Sequence, residues 1–225
     1  YFLSEMLKSQ DDRSDGKTII ISGAGNVATY AAEKAIALGA KVISLSDSAG
    51  FIHDPDGLTQ DKIDWVRAHK AKSGTSLAAY ADKFGGQWTE GETPWSLKGD
   101  IAAPCATENE LSAQDAKRLA KNGVLVVIEG ANMPTTADAK KVLRENNILF
   151  APGKAANAGG VAVSGLEISQ NRQRRSSGAD EVDESLQQIM SDIHASCIKE
   201  GLKDGAVDYA KGANIAGFLK VADAM

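Results

Sequence analysis

Short apolar runs alternate with amphipathic stretches along the first two thirds of the chain. The β-branched run at residues 17–22 predicts a strand, a helical pattern follows from about 26 to 38, and a second apolar run covers 41–46. A strand, a helix and a strand in this order form a βαβ unit, which builds a parallel sheet with a right-handed crossover. The pattern therefore indicates an α/β protein.

The alternation continues to about residue 150. Helical periodicity marks the stretches 59–72, 76–84, 113–121 and 136–145, and apolar runs predict strands at 100–103, 124–128 and 148–150. After Pro152 only helical periodicity is visible, with Leu186, Met190 and Ile193 on one apolar face. The predicted fold class is α/β, a doubly wound, mostly parallel sheet with C-terminal packing helices.

Composition narrows the class of protein. The 225 residues are 43% hydrophobic with a net charge of −5, which is typical of a globular protein and argues against a nucleic-acid partner. No apolar run reaches the ~18 residues of a membrane span, and no signal-peptide pattern is visible, so we expect no membrane partner. The two cysteines, Cys105 and Cys197, are far apart and are expected to be buried, reduced thiols, which favours a cytoplasmic location.

Histidine and arginine positions suggest structural roles. The three histidines lack the i, i+4 spacing of a zinc site, so no metal site is expected. His194 lies beside the apolar face of its helix and is expected to pack there. The cluster Arg172, Arg174 and Arg175 is expected at a helix C-terminus, where positive charge is favourable.

A glycine-rich turn follows the first predicted strand. Gly23, Gly25 and Ala28 form the pattern Gly-x-Gly-x-x-Ala between a strand and a helix, which is the context of a dinucleotide-binding turn. Gly23 permits the tight turn, Gly25 lets a pyrophosphate approach the backbone, and the helix N-terminus offers free N–H groups. Asp47 follows at about the 20-residue spacing of an acidic residue that binds a ribose. The alternative is a structural turn with an incidental aspartate.

Three further loops follow predicted strands, at residues 103–107, 129–135 and 152–160. Ligands bind at the carboxyl ends of the strands in open α/β sheets. Glycines and small polar residues in these loops would let a flat ring lie against the backbone. Each loop alone is more often an ordinary connection.

Together these loops resemble the cofactor-binding half of small-subunit hexameric glutamate dehydrogenase. The matching segments are 22–28, 46–50, 104–110, 129–136, 153–161 and 212–218. The resemblance implies a Rossmann-like fold and the reversible oxidative deamination of L-glutamate to 2-oxoglutarate and ammonia, with hydride transfer to a nicotinamide cofactor. It also implies a homohexamer.

The resemblance implies roles for individual residues. Those similar to pyrophosphate and ribose contacts are Gly23, Gly25, Asn26 and Val27. Those similar to residues around the nicotinamide and its ribose are Ala106, Thr107, Asn132 and Asn157. Ser164 resembles the serine that holds the distal carboxylate of the substrate, with Val161 beside it.

The expected cofactor is NADP, with NAD as the alternative. The simple rule favours NAD, because the Asp47 carboxylate repels a 2′-phosphate. However, Ser46 and Asp47 resemble the NADP-dependent branch, where the aspartate is retained and nearby cations meet the phosphate. Lys70 stands where that branch has a lysine, whereas Ser73 and Ser76 stand where some members have arginines.

The chain is expected to be part of a longer protein. It opens inside a helical pattern without an N-cap, and the predicted segments are a lead-in at 1–15, a dinucleotide-binding domain at 16–178 and C-terminal helices at 179–225. The family's catalytic lysine and aspartate lie in an N-terminal domain, so no catalytic residue is expected here. Alternatives are a dehydrogenase of another amino acid, such as leucine or phenylalanine, and a non-catalytic dinucleotide-binding subunit.

Overall fold

A seven-stranded sheet runs through the first part of the molecule in the computed structural model, which describes residues 1–72 and 74–225. Its strands are β1 (Thr18–Ile21), β2 (Lys41–Asp47), β3 (Gly50–His53), β4 (Gln87–Glu90), β5 (Ile101–Ala103), β6 (Val126–Ile128) and β7 (Leu149–Ala151). Their order across the sheet is β4-β3-β2-β1-β5-β6-β7. The predicted α/β class and doubly wound sheet are confirmed, and the fold is Rossmann-like.

The centre of the sheet is parallel and one edge is antiparallel. Strand β1 pairs in parallel with β2 and β5, and β5 pairs in parallel with β6. Strands β3 and β4 form an antiparallel extension beside β2, which the sequence pattern did not predict. Strand β3 begins within three residues of the end of β2, and β4 is a half-exposed edge strand with little apolar content.

Helices occupy most of the remaining chain. They are α1 (Phe2–Lys8), α2 (Asn26–Ala37), α3 (Gln60–Lys70), α4 (Ala78–Phe84), α5 (Ala113–Lys121), α6 (Ala137–Glu145), α7 (Gly153–Ala156), α8 (Ala158–Gln173), α9 (Ala179–Gly201) and α10 (Tyr209–Ala222). Helix α8 ends at Arg174 in the left-handed conformation, which confirms the helix end expected at the arginine cluster. None of these helices, over the residues described, is long and apolar enough to cross a bilayer.

A short hairpin interrupts the helical C-terminal region. Strands β8 (Leu202–Lys203) and β9 (Ala206–Val207) pair antiparallel across Asp204 and Gly205. Both turn residues have positive φ, at 52° and 81°, as a type I′ turn requires. The expectation of helices alone after Pro152 was therefore wrong, because the Asp-Gly signal of the turn was overlooked.

The chain forms two compact units. The sheet unit is Arg13–Phe150, and the helical unit combines Tyr1–Asp12 with Ala151–Met225. The segments predicted from the sequence divide the chain elsewhere, at 15 and 178. Helix α8 belongs to the helical unit because it packs against α7 and α9.

Each unit has its own buried core. In the sheet unit, Ile20, Ala102 and Val127 on the central strands pack against the helical residues Leu119 and Leu143. In the helical unit, Phe2 meets the edge of His194 at 5.3 Å between ring centroids, and the Tyr209 hydroxyl lies 3.1 Å from His194 Nε2. His194 is a buried packing residue, as expected. Cys105 and Cys197 are buried free thiols, as expected.

Candidate functional site

The turn after β1 requires glycine for two different reasons. Gly23 has φ +87°, and a Cβ there would lie 2.9 Å from the Cys105 carbonyl oxygen, so neither the conformation nor the space suits a side chain. Gly25 precedes helix α2 with φ −81°, and a Cβ there would meet nothing within 4 Å. Gly25 therefore leaves open space over the first turn of α2, where Asn26 and Val27 are exposed.

Serines on β2 hold this turn against the sheet. The Gly23 N–H donates to Ser46 Oγ at 2.8 Å, and the Ser46 N–H donates to the Gly23 carbonyl at 3.1 Å. The Ser44 hydroxyl bonds to both the N–H and the carbonyl of Ile21 at 3.0 Å. Ser46 is only 7% exposed, so its hydroxyl supports the shape of the turn.

Asp47, at the end of β2, holds a lysine and a loop. Its Oδ1 accepts the Ala49 N–H at 2.9 Å, and its Oδ2 accepts the Leu77 N–H at 2.9 Å and Lys70 Nζ at 3.1 Å. Lys70 also donates to the Thr75 carbonyl at 2.7 Å. Burial raises the pKa of Asp47, but the hydrogen bonds outweigh burial and the pKa is lowered. The carboxylate is therefore ionised and already paired with an ammonium group.

The structure describes one of the two serines that stand where some family members have arginines. Ser73 lies outside the residues that the structure describes. Ser76 is half-buried; its hydroxyl accepts the Ala78 N–H at 3.2 Å, and its carbonyl lies 2.9 Å from His69 Nε2. Ser76 therefore shapes the start of helix α4.

The loops that follow β5 and β6 are bonded to each other. The N–H groups of Gly130 and Ala131 donate to the Pro104 carbonyl at 3.0 and 3.1 Å. A Cβ at Gly130 would lie 2.4 Å from Cys105 Sγ, so the approach of the two loops requires glycine. Burial, with a smaller contribution from the charge of Glu110, raises the pKa of the Cys105 thiol to about 12. The thiol is therefore a neutral packing group between the loops.

The sheet brings most of the predicted cofactor residues to one edge. The exposed residues Ala106, Thr107 and Asn132 follow β5 and β6, whereas the glycine turn and Asp47 follow β1 and β2. Strands β2 to β4 lie on one side of β1, and β5 to β7 lie on its other side. The strand order therefore reverses between β1 and β5, and this is the switch point where ligands bind in open α/β sheets.

Three predicted residues belong to the helical unit. Asn157 joins α7 to α8 and is half-buried, and Val161 is 74% exposed on α8. Ser164 is also exposed on α8, and its hydroxyl donates to the Gly160 carbonyl at 3.2 Å. The sheet unit therefore does not contain these three residues.

The site can be tested against the groups that it could hold. A dinucleotide fits the sheet unit, since the open space at Gly25 and the exposed N-terminus of α2 are a place for a pyrophosphate. In the described ranges 1–72 and 74–225, no cluster of His, Cys, Asp or Glu could hold a metal ion. Sequence reasoning missed Ser22, whose partner Cys105 follows a different strand, and Glu110, whose bond to the Ala106 N–H leaves no signal in the apolar pattern.

The chain has a Rossmann-like sheet with a Gly-x-Gly-x-x-Ala turn at its switch point, and this combination is typical of Rossmann-type α/β domains. The family model for Glutamate/Leucine/Phenylalanine/Valine dehydrogenase matches residues 1–225, and the chain belongs to this family.

Several proteins that are similar to this chain are named glutamate dehydrogenase. The chain is 52% identical to the NADP-specific glutamate dehydrogenase of Haemophilus influenzae and 51% identical to the NAD-specific glutamate dehydrogenase of Bacteroides fragilis, covering all of this chain and 51% of each relative. The crystal structure of Plasmodium falciparum glutamate dehydrogenase superposes with a TM-score of 0.95 at 42% identity, covering 99% of this chain and 48% of that one. The chain spans about half the length of these relatives.

Proposed function

We propose that the chain is the cofactor-binding part of an NADP-dependent glutamate dehydrogenase, which interconverts L-glutamate with 2-oxoglutarate and ammonia. The observation that carries the proposal is the open glycine turn at the switch point, with Lys70 beside Asp47 at the same edge of the sheet. The nicotinamide, when bound, accepts or supplies the hydride. This chain's own residues bind and orient the dinucleotide.

The turn between β1 and α2 would hold the pyrophosphate. Gly23 and Gly25 allow the backbone to approach it, and the first N–H groups of α2, at Asn26 and Val27, would donate to it. Ser46 would keep the turn in shape through its bond to Gly23. Ala106, Thr107 and Asn132 would border the nicotinamide side of the dinucleotide, and Asn157, in the helical unit, is similar to an asparagine that lies near the nicotinamide ribose in the family.

The choice of NADP is supported by the surroundings of Asp47. Both carboxylate oxygens already accept hydrogen bonds, and one of them is paired with Lys70. The ammonium group offsets the repulsion between Asp47 and a 2′-phosphate, and Lys70 can itself donate to that phosphate. NAD is the alternative cofactor, because one similar protein is named NAD-specific glutamate dehydrogenase.

The substrate side involves Ser164 and Val161. A serine hydroxyl can donate one hydrogen bond to a carboxylate oxygen, which favours glutamate over an apolar amino acid. The family also includes leucine, phenylalanine and valine dehydrogenases, so an apolar amino acid is the second candidate substrate. A cytoplasmic homohexamer is the proposed assembly.

Binding and turnover can be measured separately on the purified 225-residue chain. Circular dichroism first establishes that the chain is folded, and calorimetric titration with NADPH and NADH then measures binding. We expect tighter binding of NADPH and no glutamate-dependent change in nicotinamide absorbance, because no residue here matches the family's catalytic lysine. A folded chain that binds neither cofactor would contradict dinucleotide binding, and turnover by the chain would contradict placing catalysis in another domain.

A further inference from the structure

Behind the loop that follows β5, the half-buried carboxylate of Glu110 accepts a hydrogen bond from the loop. The Cys105 N–H donates to Ser22 Oγ at 3.0 Å, and the Ala106 N–H donates to Glu110 Oε1 at 2.9 Å. The Ser22 hydroxyl and the Thr107 N–H also lie near the Glu110 carboxylate, and both act to lower its pKa. Ser22, at the end of β1, and Glu110 therefore hold two successive N–H groups of the loop after β5.

The position of Glu110 fixes which atoms the loop presents on its other side. The N–H and C=O of a planar trans peptide point in opposite directions. Because the Ala106 N–H points at Glu110, the Cys105 carbonyl points away from it. The Cys105 carbonyl accordingly lies against Gly23. The N–H groups of Cys105 and Ala106 are therefore occupied by Ser22 and Glu110, and the Cys105 carbonyl faces the glycine turn.

The buried surroundings make this carboxylate sensitive to change. Burial raises the pKa of Glu110, Asp115 raises it further, and the hydrogen bonds from the loop only partly oppose the rise. Ser22 is fully buried, so water cannot easily replace a donor that is lost. Replacing Ser22 leaves the N–H of the buried Cys105 unpaired, and replacing Glu110 removes the acceptor of the Ala106 N–H, so either change frees the loop to turn.

We propose that Glu110 is a positioning residue for the nicotinamide end of the dinucleotide, acting through the loop at residues 105–107 and through Ser22. This rests on the proposed dinucleotide binding. Glu110 keeps the Ala106 N–H turned away from the ligand and so fixes the exposed residues Ala106 and Thr107, which would border the nicotinamide. The adenosine end binds at the glycine turn and at Asp47, and it does not depend on this loop.

The test compares two ligands that differ only in the nicotinamide. The full-length protein is titrated with NADPH and with 2′-phospho-ADP-ribose, which lacks the ring. Glu110→Gln is expected to weaken NADPH binding about tenfold, the size expected for a lost charge-assisted hydrogen bond, and to leave 2′-phospho-ADP-ribose unchanged. Glu108→Gln, which removes the same charge from an exposed position two residues away, is the matched control and should change neither affinity.

A second variant covers the case in which Glu110→Gln does not fold. Ser22→Ala removes only the hydroxyl and should weaken NADPH selectively, with a smaller effect, on the order of threefold. Equal losses for both ligands, or no loss in either variant, would overturn the role of Glu110. A wild-type protein that binds neither ligand would instead refute the proposed function.

Discussion

Gly23 and Gly25 are two residues apart, yet they should respond differently to the same substitution. Gly23→Ala places a methyl group in a left-handed conformation against the Cys105 carbonyl, and we expect it to lower the free energy of unfolding by about 1–3 kcal/mol. Gly25→Ala meets nothing within 4 Å, so stability should change by less than ~0.5 kcal/mol while NADPH binding weakens. Urea unfolding and calorimetry measure the two effects. Unchanged NADPH affinity in Gly25→Ala would mean that the open space is not used.

Lys70 tests the choice of cofactor. If its ammonium group meets a 2′-phosphate, Lys70→Ala should weaken NADPH binding by about 1–3 kcal/mol and barely change NADH binding. Lys121→Ala, which removes one exposed charge from α5, controls for the altered net charge. Calorimetric titration of both cofactors gives the difference. Equal losses for NADPH and NADH would show that Lys70 acts only through its bonds to Asp47 and Thr75.

At the scale of elements, His194 joins α1 to α9 and α10 and should make their packing sensitive to pH. Burial lowers the pKa of His194 below its ordinary 6.5, although the charge of Glu5 opposes the shift. As the pH falls, the unfolded chain therefore binds a proton at His194 before the folded chain does. The stability that comes from keeping His194 neutral is present above pH 6.5 and is lost as the pH falls from there through the folded-state pKa.

The corresponding measurement is the free energy of unfolding between about pH 7.5 and pH 5. His194→Gln should be less stable than the wild type at neutral pH because it disturbs the contact with Tyr209. Its stability should fall less steeply with acid than that of the wild type. His53→Gln, on β3, controls for the loss of any histidine. Parallel pH curves for the wild type and His194→Gln would contradict this role.

Elements with strong local periodicity could be predicted from the sequence, and those defined by distant partners could not. The bounds of α2, β2 and α5 fall within a residue or two of prediction, because α2 and α5 each bury one face and β2 is buried along most of its length. Strand β4 has no such face, since it pairs only at the edge of β3. Likewise, the contact between Cys105 and Ser22 joins residues that follow separate strands, and only the sheet order brings them together.

At the scale of the whole molecule, the predicted ligand residues are divided between the two units. The sheet unit carries the glycine turn, Asp47 and Lys70, whereas Asn157 and Ser164 lie in the helical unit. The apolar pattern changes after Pro152, close to the boundary at Phe150, but the predicted segments did not divide the chain there. Helix α8 has no fully buried residue, all of its residues being described, so its sequence does not indicate which unit it joins.

The discontinuous helical unit has a consequence for synthesis on the ribosome. Helix α1 packs against α9, which begins about 170 residues later. At about 5–20 residues per second, α1 waits on the order of 10–30 s for that partner. The continuous sheet unit can pair its strands as they emerge, but Phe2 and Met6, buried in the finished unit, stay without their final packing throughout. Helix α1 is thus made long before the partner against which it packs.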